Sequence, residues 1–114
     1  MSLDILIPNK NPNKNLFKTI ESINNIEEIQ NIIIVDDTND LNNNIYKSIK
    51  KKYKKIILLK NKHLSGISGA LNTGIEYSKS EFIGRIDSGD ICLDKKRFEK
   101  ILNLFKKKIN IDLI

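Results

Sequence analysis

The feature that most restricts the fold of this chain is the unbroken apolar run at residues 32–35, which ends directly in Asp36 and Asp37. A strand with one face in water alternates apolar and polar residues, so an uninterrupted β-branched run is typical of a strand buried on both faces of a parallel sheet. Ligands of open α/β sheets bind outside the carboxyl ends of such strands. The run therefore predicts an α/β protein in which acidic side chains follow a buried strand at the ligand-binding edge.

Three other short apolar runs predict further strands, at residues 3–8, 56–59 and 82–86. Apolar residues at helical spacing predict a helix between each strand and the next. The inward faces of these helices are predicted to be Leu16, Phe17, Ile20 and Ile23; Leu41, Ile45 and Ile49; and Ile67, Ala70, Leu71, Gly74 and Ile75. The alternation of strands and helices predicts a mainly parallel sheet with flanking helices.

Short polar side chains predict where the helices begin. Asn13 is the expected cap of the first helix, and one of residues 38–40 is the expected cap of the second. Asp94 predicts the cap of a fourth helix, and an apolar run at residues 111–114 ends the chain. The inward face of this fourth helix is predicted to be Phe98, Ile101, Leu102 and Phe105.

The composition limits the partners that this chain can bind. With 114 residues and a formal net charge of +6, the chain is a single domain whose charge favours anionic partners. The candidates are nucleic acid, an anionic membrane surface and a phosphorylated small molecule, although the lysines also fit solvated helix faces. Since neither an aromatic-studded basic stripe nor a nucleic-acid motif is present, we expect no nucleic-acid partner.

The cysteine content and the hydropathy indicate a protein of the reducing cytoplasm. Cys92 is the only cysteine, so no intrachain disulfide can form. No histidine lies near it in the sequence, so we expect Cys92 to be a small buried side chain and not a nucleophile. Neither a secretory segment nor a run of about 18 apolar residues occurs, so nothing indicates export or membrane spanning.

Carboxylates follow two of the predicted strands. Asp36 and Asp37 follow the second, while Asp87 and Asp90 follow the fourth, and in one parallel sheet these ends share an edge. Asp, Ser and Gly are also ordinary turn residues, so residues 87–90 can be read as a polar turn alone. Acids without cysteine or histidine suit Mg²⁺ or Mn²⁺, which bind through one or two carboxylates and substrate phosphates. No glycine-rich phosphate-binding loop follows the first strand, which argues against P-loop and dinucleotide-binding proteins.

Four segments of the chain together resemble the family 2 glycosyltransferases of the GT-A fold, which use nucleotide-diphosphate sugars. Residues 5–11 are similar to the opening strand of the family, in which proline is usually followed by Thr-Tyr-Asn. Residues 35–40 resemble its Val-Asp-Asp-Gly-Ser-x-Asp signature, and residues 66–72 match its Gly-x-x-x-Ala-x-Asn segment. Residues 85–90 resemble its Arg-x-Asp-Ala-Asp-Asp motif, and Arg97 falls where the family often has arginine.

The resemblance implies a role for each matching position in binding the nucleotide sugar. It implies that Asp36 accepts a hydrogen bond from the base, that Gly66 allows close backbone approach, and that Asn72 supports the pocket. Asp87 and Ser88 would approach the ribose and the metal. The complete set of implied nucleotide-binding residues is Pro8, Asn9, Asn11, Asp36, Gly66, Asn72, Asp87 and Ser88.

The resemblance also implies a divalent cofactor, Mn²⁺ or Mg²⁺, held by Asp87 and Asp90. One acid of the family motif is Gly89 in this chain, which leaves metal coordination to the two aspartates. The Thr-Tyr that usually follows the proline is Asn9-Lys10 here, so an aromatic contact to the base is missing.

The resemblance implies a glycosyltransferase that uses a UDP-sugar and a saccharide or lipid-linked acceptor in surface polysaccharide synthesis. Residues 1–114 would form a single GT-A donor-binding domain of a longer enzyme, because the chain ends before the segment that supplies the acceptor site and the general base in this family. No general base can be named within the chain, since Asp94 and Glu99 are interpreted as a helix cap and a surface residue. The alternative is a non-catalytic, truncated nucleotide-binding module of the same fold. We expect a cytoplasmic protein whose basic helices can contact an anionic membrane at its inner face.

Overall fold

A computed structural model of the chain describes residues 2–38, 40–92 and 96. Within these residues, strands and helices alternate as the sequence predicts. The elements are β1 (Leu3–Asn9), α1 (Lys14–Ile23), β2 (Ile29–Asp36), α2 (Asn44–Lys52), β3 (Ile56–Lys60), α3 (Ile67–Tyr77) and β4 (Phe82–Arg85). The predicted fourth helix, its cap Asp94, Arg97, Glu99 and the terminal apolar run lie outside the described residues.

The four strands form one sheet in the order β3-β2-β1-β4, and every pair in it is parallel. The α/β prediction with a parallel sheet is therefore confirmed. The chain moves outward from β1 through β2 to β3, and α3 then carries it back to pair β4 with the free side of β1. The strand order thus reverses at β1, and this is the position where open α/β sheets bind their ligands, beyond the carboxyl ends of the strands.

Helices cover both faces of the sheet. Ile32 and Ile34 of β2 belong to the larger apolar core with buried residues of α1 and α2, whereas Ile33 and Val35 belong to the smaller core with Ala70 of α3. All four apolar residues of the run are at most 1% exposed. The interpretation of this run as a strand buried on both faces is confirmed.

The first helix begins as predicted, and the second does not. The side chain of Asn13 caps α1 by accepting a hydrogen bond from the Asn15 N–H at 2.9 Å. The prediction that one of residues 38–40 caps the second helix was wrong, because α2 begins after Asn43, which accepts from the Ile45 N–H at 2.8 Å. Thr38 and the backbone of Asp40 instead donate to the Asp36 carboxylate.

The inward side of α3 is narrower than its apolar spacing predicts. The buried residues of this helix are Gly69, Ala70, Thr73 and Gly74. Ile67 is 56% exposed and Ile75 is 51% exposed, so their predicted inward placement was wrong. The physical reason is that α3 packs on the sheet through its small buried residues and comes very close to it, so the larger apolar side chains at its edges stay outside the contact. An added Cβ at Gly74 would lie 2.9 Å from the methyl groups of Leu6.

Within the described part of the chain, no helix has both the length and the apolar character that crossing a bilayer requires.

Candidate functional site

A cleft of about 560 Å³ opens at the carboxyl ends of β1 and β4, beside the beginning of α3. It lies where the strand order reverses, as expected for an open α/β sheet. The residues that line it are Pro8, Asn9, Lys10, Asp37, Ser65, Gly66, Ile67, Ala70, Asp87 and Ser88. Four segments of the chain, at residues 8–10, 37, 65–70 and 87–88, therefore meet in one cleft.

A second cavity of the same volume, about 560 Å³, lies near the amino ends of β1 and β2 and the end of α3. Asp4, Asn31 and Tyr77 are among its lining residues, and none of the nucleotide-binding or metal-binding residues implied by the resemblance borders it. The cleft at the carboxyl ends is therefore the candidate site.

Five of the residues implied by the resemblance line the cleft, namely Pro8, Asn9, Gly66, Asp87 and Ser88. Asn11, Asn72 and Asp90 are exposed and are not among its lining residues. Asp90 nevertheless belongs to the same turn as Asp87, because its N–H donates to the Asp87 carbonyl oxygen at 3.0 Å. The roles assigned to all these residues stay predictions.

Asp36 is completely buried and does not line the cleft, contrary to the expectation that it faces the base. Its Oδ1 accepts hydrogen bonds from the hydroxyls of Thr38, at 2.8 Å, and Tyr46, at 2.5 Å. Its Oδ2 accepts from the backbone N–H groups of Thr38 and Asp40, both at 3.2 Å. The carboxylate is thus used inside the protein, where it organises the segment that follows β2.

Tyr46 connects this buried carboxylate to the wall of the cleft. Its hydroxyl accepts a hydrogen bond from Asn9 Nδ2 at 2.9 Å while it donates to Asp36. Burial, and then the hydrogen bond to Asp36, raise the pKa of Tyr46 far above its ordinary value, so the hydroxyl keeps the proton that it donates. Asn9 is consequently held in one orientation at the end of β1.

Asp37, which the sequence places at the ligand-binding edge without a predicted binding role, is the acid of this pair that lines the cleft. Its carboxylate accepts hydrogen bonds from Asn61 Nδ2 at 2.8 Å, Ser65 Oγ at 2.9 Å and the Gly66 N–H at 2.8 Å. The bond from Asn61 lowers the pKa of Asp37 most, partial burial opposes it, and the bonds from Ser65 and Gly66 and the charge of Lys10 lower it further. Asp37 is therefore ionised at neutral pH and ties the loop before α3 to the end of β2.

Gly66 lies at the beginning of α3 with a φ of 126°, in the region that favours glycine. An added Cβ would meet no atom within 4 Å, so the backbone conformation and not crowding accounts for glycine here. As a glycine, Gly66 has no side chain with which to cap the helix, and its N–H instead donates to the Asp37 carboxylate. The beginning of α3 therefore already has an anionic side chain of the protein beside it, which suits the positive end of the helix dipole.

The turn after β4 carries the acids implied to bind a metal. Arg85 Nε donates to Asp87 Oδ1 at 2.8 Å, with both side chains more than one third exposed. No group of three or more metal-ligating side chains occurs among residues 2–38, 40–92 and 96. Two carboxylates nevertheless fit Mg²⁺ or Mn²⁺, which take their remaining ligands from water and substrate phosphates. Asp87 and Asp90 would hold such an ion, with Gly89 between them at a φ of 99°.

The family model described as "Glycosyl transferase family 2" matches residues 4–112 of the chain. The chain is 33% identical over 115 residues to the minor teichoic acid biosynthesis protein GgaB of Bacillus subtilis (strain 168), covering 96% of this chain and 13% of that protein. It is 31% identical over 118 residues to the poly(ribitol-phosphate) beta-N-acetylglucosaminyltransferase TarP of Staphylococcus aureus (strain N315), covering 98% of this chain and 35% of that protein.

A solved structure of similar fold is the mannosyltransferase PcManGT from Pyrobaculum calidifontis in complex with GDP-Man and Mn2+. The TM-score is 0.77 at 13% identity, and the alignment covers 90% of this chain and 32% of that one. The chain thus spans at most 35% of the length of each of these three proteins. The family match over almost all of its residues and the shared architecture lead to one conclusion: the chain belongs to glycosyl transferase family 2 and has the GT-A fold.

Proposed function

We propose that residues 1–114 form the donor-binding domain of a glycosyltransferase that transfers a sugar from a UDP-sugar to a saccharide or lipid-linked acceptor. The observation that carries the proposal is the cleft in which Asn9, Asp37 and Asp87 meet at the carboxyl edge of the sheet. The names of GgaB and TarP refer to teichoic acid biosynthesis and to poly(ribitol-phosphate), which supports a role in the synthesis of surface polymers. The same proposal places the protein in the cytoplasm, in peripheral contact with the cell membrane.

The lining of the cleft offers a partner for each part of a nucleotide diphosphate. Asp37 is ionised, and its carboxylate oxygens have acceptor capacity beyond the three bonds that the protein makes, which suits the imide N–H of a uracil base. Lys10 and the beginning of α3 lie beside Asp37 and favour its ionised form, so the diphosphate would extend toward Asp87 on the other strand end. Asn9 and Ser88 also line the cleft and would border a ribose bound between Asp37 and Asp87.

Asp87 and Asp90 are the residues that would hold Mn²⁺ or Mg²⁺ beside the diphosphate. When bound, the ion supplies charge neutralisation for the departing nucleotide. Arg85, which is paired with Asp87, keeps that carboxylate oriented by a charged hydrogen bond. The protein's own contribution to the reaction is therefore to bind and orient the donor.

A non-catalytic nucleotide-binding module of the same fold is the second candidate. The observation that favours it is Gly89, which occupies the place of an acid in the family motif. Its φ of 99° is one that an aspartate would adopt only with strain, so the turn is not built for a third carboxylate. Transfer or hydrolysis of a UDP-sugar by this chain would favour the enzyme, and binding without turnover would favour the module.

The proposal is tested by titration calorimetry of UDP into the protein with and without Mn²⁺. We expect binding that depends on Mn²⁺ and that weakens by about tenfold or more in Asp87→Ala and in Asp90→Ala, since each removes a charged ligand. Glu27→Gln, an exposed acid far from the cleft in sequence, is the matched control and should bind like the wild type. Parallel titrations of GDP, CDP and ADP identify the base.

If the affinity for UDP depends neither on Mn²⁺ nor on the two aspartate substitutions, the assignment of Asp87 and Asp90 to the donor site is wrong. Equal binding of all four nucleotides would leave the diphosphate site and contradict the choice of UDP.

A further inference from the structure

Two hydroxyl groups of α1 hold the loop that follows β4. The Gly89 N–H donates to Thr19 Oγ1 at 2.8 Å, and the Cys92 N–H donates to Ser22 Oγ at 3.0 Å. In each pair the two residues are 70 positions apart in the sequence. The first contact joins the acidic turn at residues 87–90 to α1, and the second joins the chain just after that turn to the same helix.

The direction of these hydrogen bonds is set by the helix. Thr19 Oγ1 donates its own proton to the Asn15 carbonyl at 3.2 Å, and Ser22 Oγ donates to the Thr19 carbonyl at 2.6 Å. Because the single proton of each hydroxyl is used in this way, the oxygen can only accept a hydrogen bond from the loop. The lone pairs of that oxygen then determine where the loop N–H must lie. Thr19 is 0% exposed, which shields its contacts from competing water.

The residue that Thr19 holds lies between the two acids of the turn. Gly89 adopts a φ of 99°, and the Asp90 N–H closes the turn on the Asp87 carbonyl at 3.0 Å. The side chains of Asp87 and Asp90 are exposed. Among the described residues, two hydrogen bonds hold the backbone of this turn: the Asp90 N–H to the Asp87 carbonyl, and the Gly89 N–H to Thr19 Oγ1, which we call the tether. Fixing Gly89 consequently fixes the backbone positions from which the two carboxylates extend, while Arg85 orients the carboxylate of Asp87.

We propose that Thr19 and Ser22 are positioning residues of the donor site, which hold Asp87 and Asp90 in the arrangement that binds the metal-bound diphosphate. The inference rests on the proposed function, because Thr19 and Ser22 can position the donor site only if Asp87 and Asp90 bind the donor. It concerns the metal-dependent part of nucleotide binding and leaves the base pocket at Asp37 unaffected.

Thr19→Val tests the proposal because it keeps the shape of the side chain and removes the hydroxyl. We expect Mn²⁺-dependent affinity for UDP to fall about fivefold to tenfold, the size of one lost hydrogen bond. Affinity for uridine without metal should stay within about twofold, because the base pocket is not attached to this tether. Thr19→Ser keeps the hydroxyl and should restore the wild-type affinity.

If Thr19→Val folds poorly, Ser22→Ala provides a second test of the proposal, and Ser48→Ala is its matched control. Ser22 is partly buried on α1, and Ser48 is exposed on α2. Ser22→Ala should weaken Mn²⁺-dependent UDP binding, whereas Ser48→Ala should not. Hydrogen exchange of the Gly89 amide, followed by NMR without any ligand, should quicken about tenfold in Thr19→Val and not in Thr19→Ser.

The outcomes separate this inference from the proposed function. A folded Thr19→Val protein that binds UDP and Mn²⁺ like the wild type would overturn the inference alone, and so would an equal loss of uridine and UDP affinity. Unchanged exchange of the Gly89 amide would show that the tether does not hold the turn and would also overturn it. A wild-type protein that binds no UDP would overturn the proposed function and the inference together.

Discussion

At the scale of single residues, the adjacent acids Asp36 and Asp37 have opposite surroundings. Asp36 is fully buried and accepts four hydrogen bonds from the segment after β2 and from Tyr46. Asp37, one position further along the chain, lines the cleft. A strand residue and its successor point to opposite sides, and the strand ends between these two residues. One carboxylate therefore stabilises the fold and its neighbour is available to a ligand.

Tyr46→Phe is predicted to destabilise the protein by about 1–3 kcal/mol, the range for leaving a buried polar group without its partner. The change removes the donor to Asp36 Oδ1 and also the acceptor of Asn9 Nδ2. Urea denaturation measures the loss in free energy of unfolding. Tyr77→Phe is the control, since Tyr77 is 46% exposed, and it should change stability by less than about 0.5 kcal/mol. Equal stability of the two variants would contradict the role of Tyr46.

At the scale of elements, α3 is the helix that shapes the cleft, because it packs close to the loop before it and to the sheet. An added Cβ at Gly69 would lie 2.1 Å from the carbonyl oxygen of Leu64. Thr73, on the same side of the helix, accepts a hydrogen bond from the Lys62 N–H at 3.0 Å and donates to Asn61 Oδ1 at 3.0 Å. The loop that presents Ser65 and Gly66 to Asp37 is consequently held against α3.

Gly69→Ala is predicted to lower the free energy of unfolding by about 1–3 kcal/mol, the usual cost of overpacking. Alanine is the better helix former by about 1 kcal/mol, but the clash is with a backbone atom that a side-chain rotation cannot relieve. The same change should weaken UDP binding because it displaces the loop at residues 61–66. Ser68→Ala, at an exposed position of α3, is the control and should not destabilise the protein. A Gly69→Ala protein more stable than the wild type would contradict this prediction, because it would show that the loop at residues 61–66 can shift without an energetic cost.

At the scale of the whole molecule, the net charge of +6 is unevenly distributed, and α2 ends in three successive lysines. Lys47 and Lys50 to Lys52 are all exposed on this helix, as is Lys54 just after it. Each basic residue near an anionic lipid surface contributes about 1 kcal/mol of attraction, which falls off within a Debye length. The basic end of α2 is therefore the surface most suited to the membrane contact that we propose.

Flotation with lipid vesicles is predicted to recover the protein with anionic vesicles and not with neutral ones. The association should weaken as salt is raised from about 50 to 500 mM, since screening shortens the reach of the lysine charges. Reversing two of these charges, in Lys47→Glu with Lys51→Glu, should abolish it, whereas UDP binding should not change. No association with anionic vesicles at physiological salt would contradict the membrane contact.

The sequence by itself determined the order of the elements, because strand and helix formation here follows local periodicity and local capping. The apolar run of β2 and the cap at Asn13 needed only neighbouring residues to be recognised. The motif spacing also brought Asn9, Gly66 and Asp87 to one edge, since parallel strands align their carboxyl ends.

Tertiary structure alone decided which acid faces the cleft, which residue caps α2 and which side of α3 is buried. Each depends on a partner that local sequence does not identify: Tyr46 for Asp36, the Asp36 carboxylate for Thr38 and Asp40, and Leu6 for Gly74. The contact of Thr19 with Gly89 spans 70 positions and has no periodic signature. Side chains compete for hydrogen-bond partners and space only after the chain has folded, so such choices are settled by packing and not by local pattern.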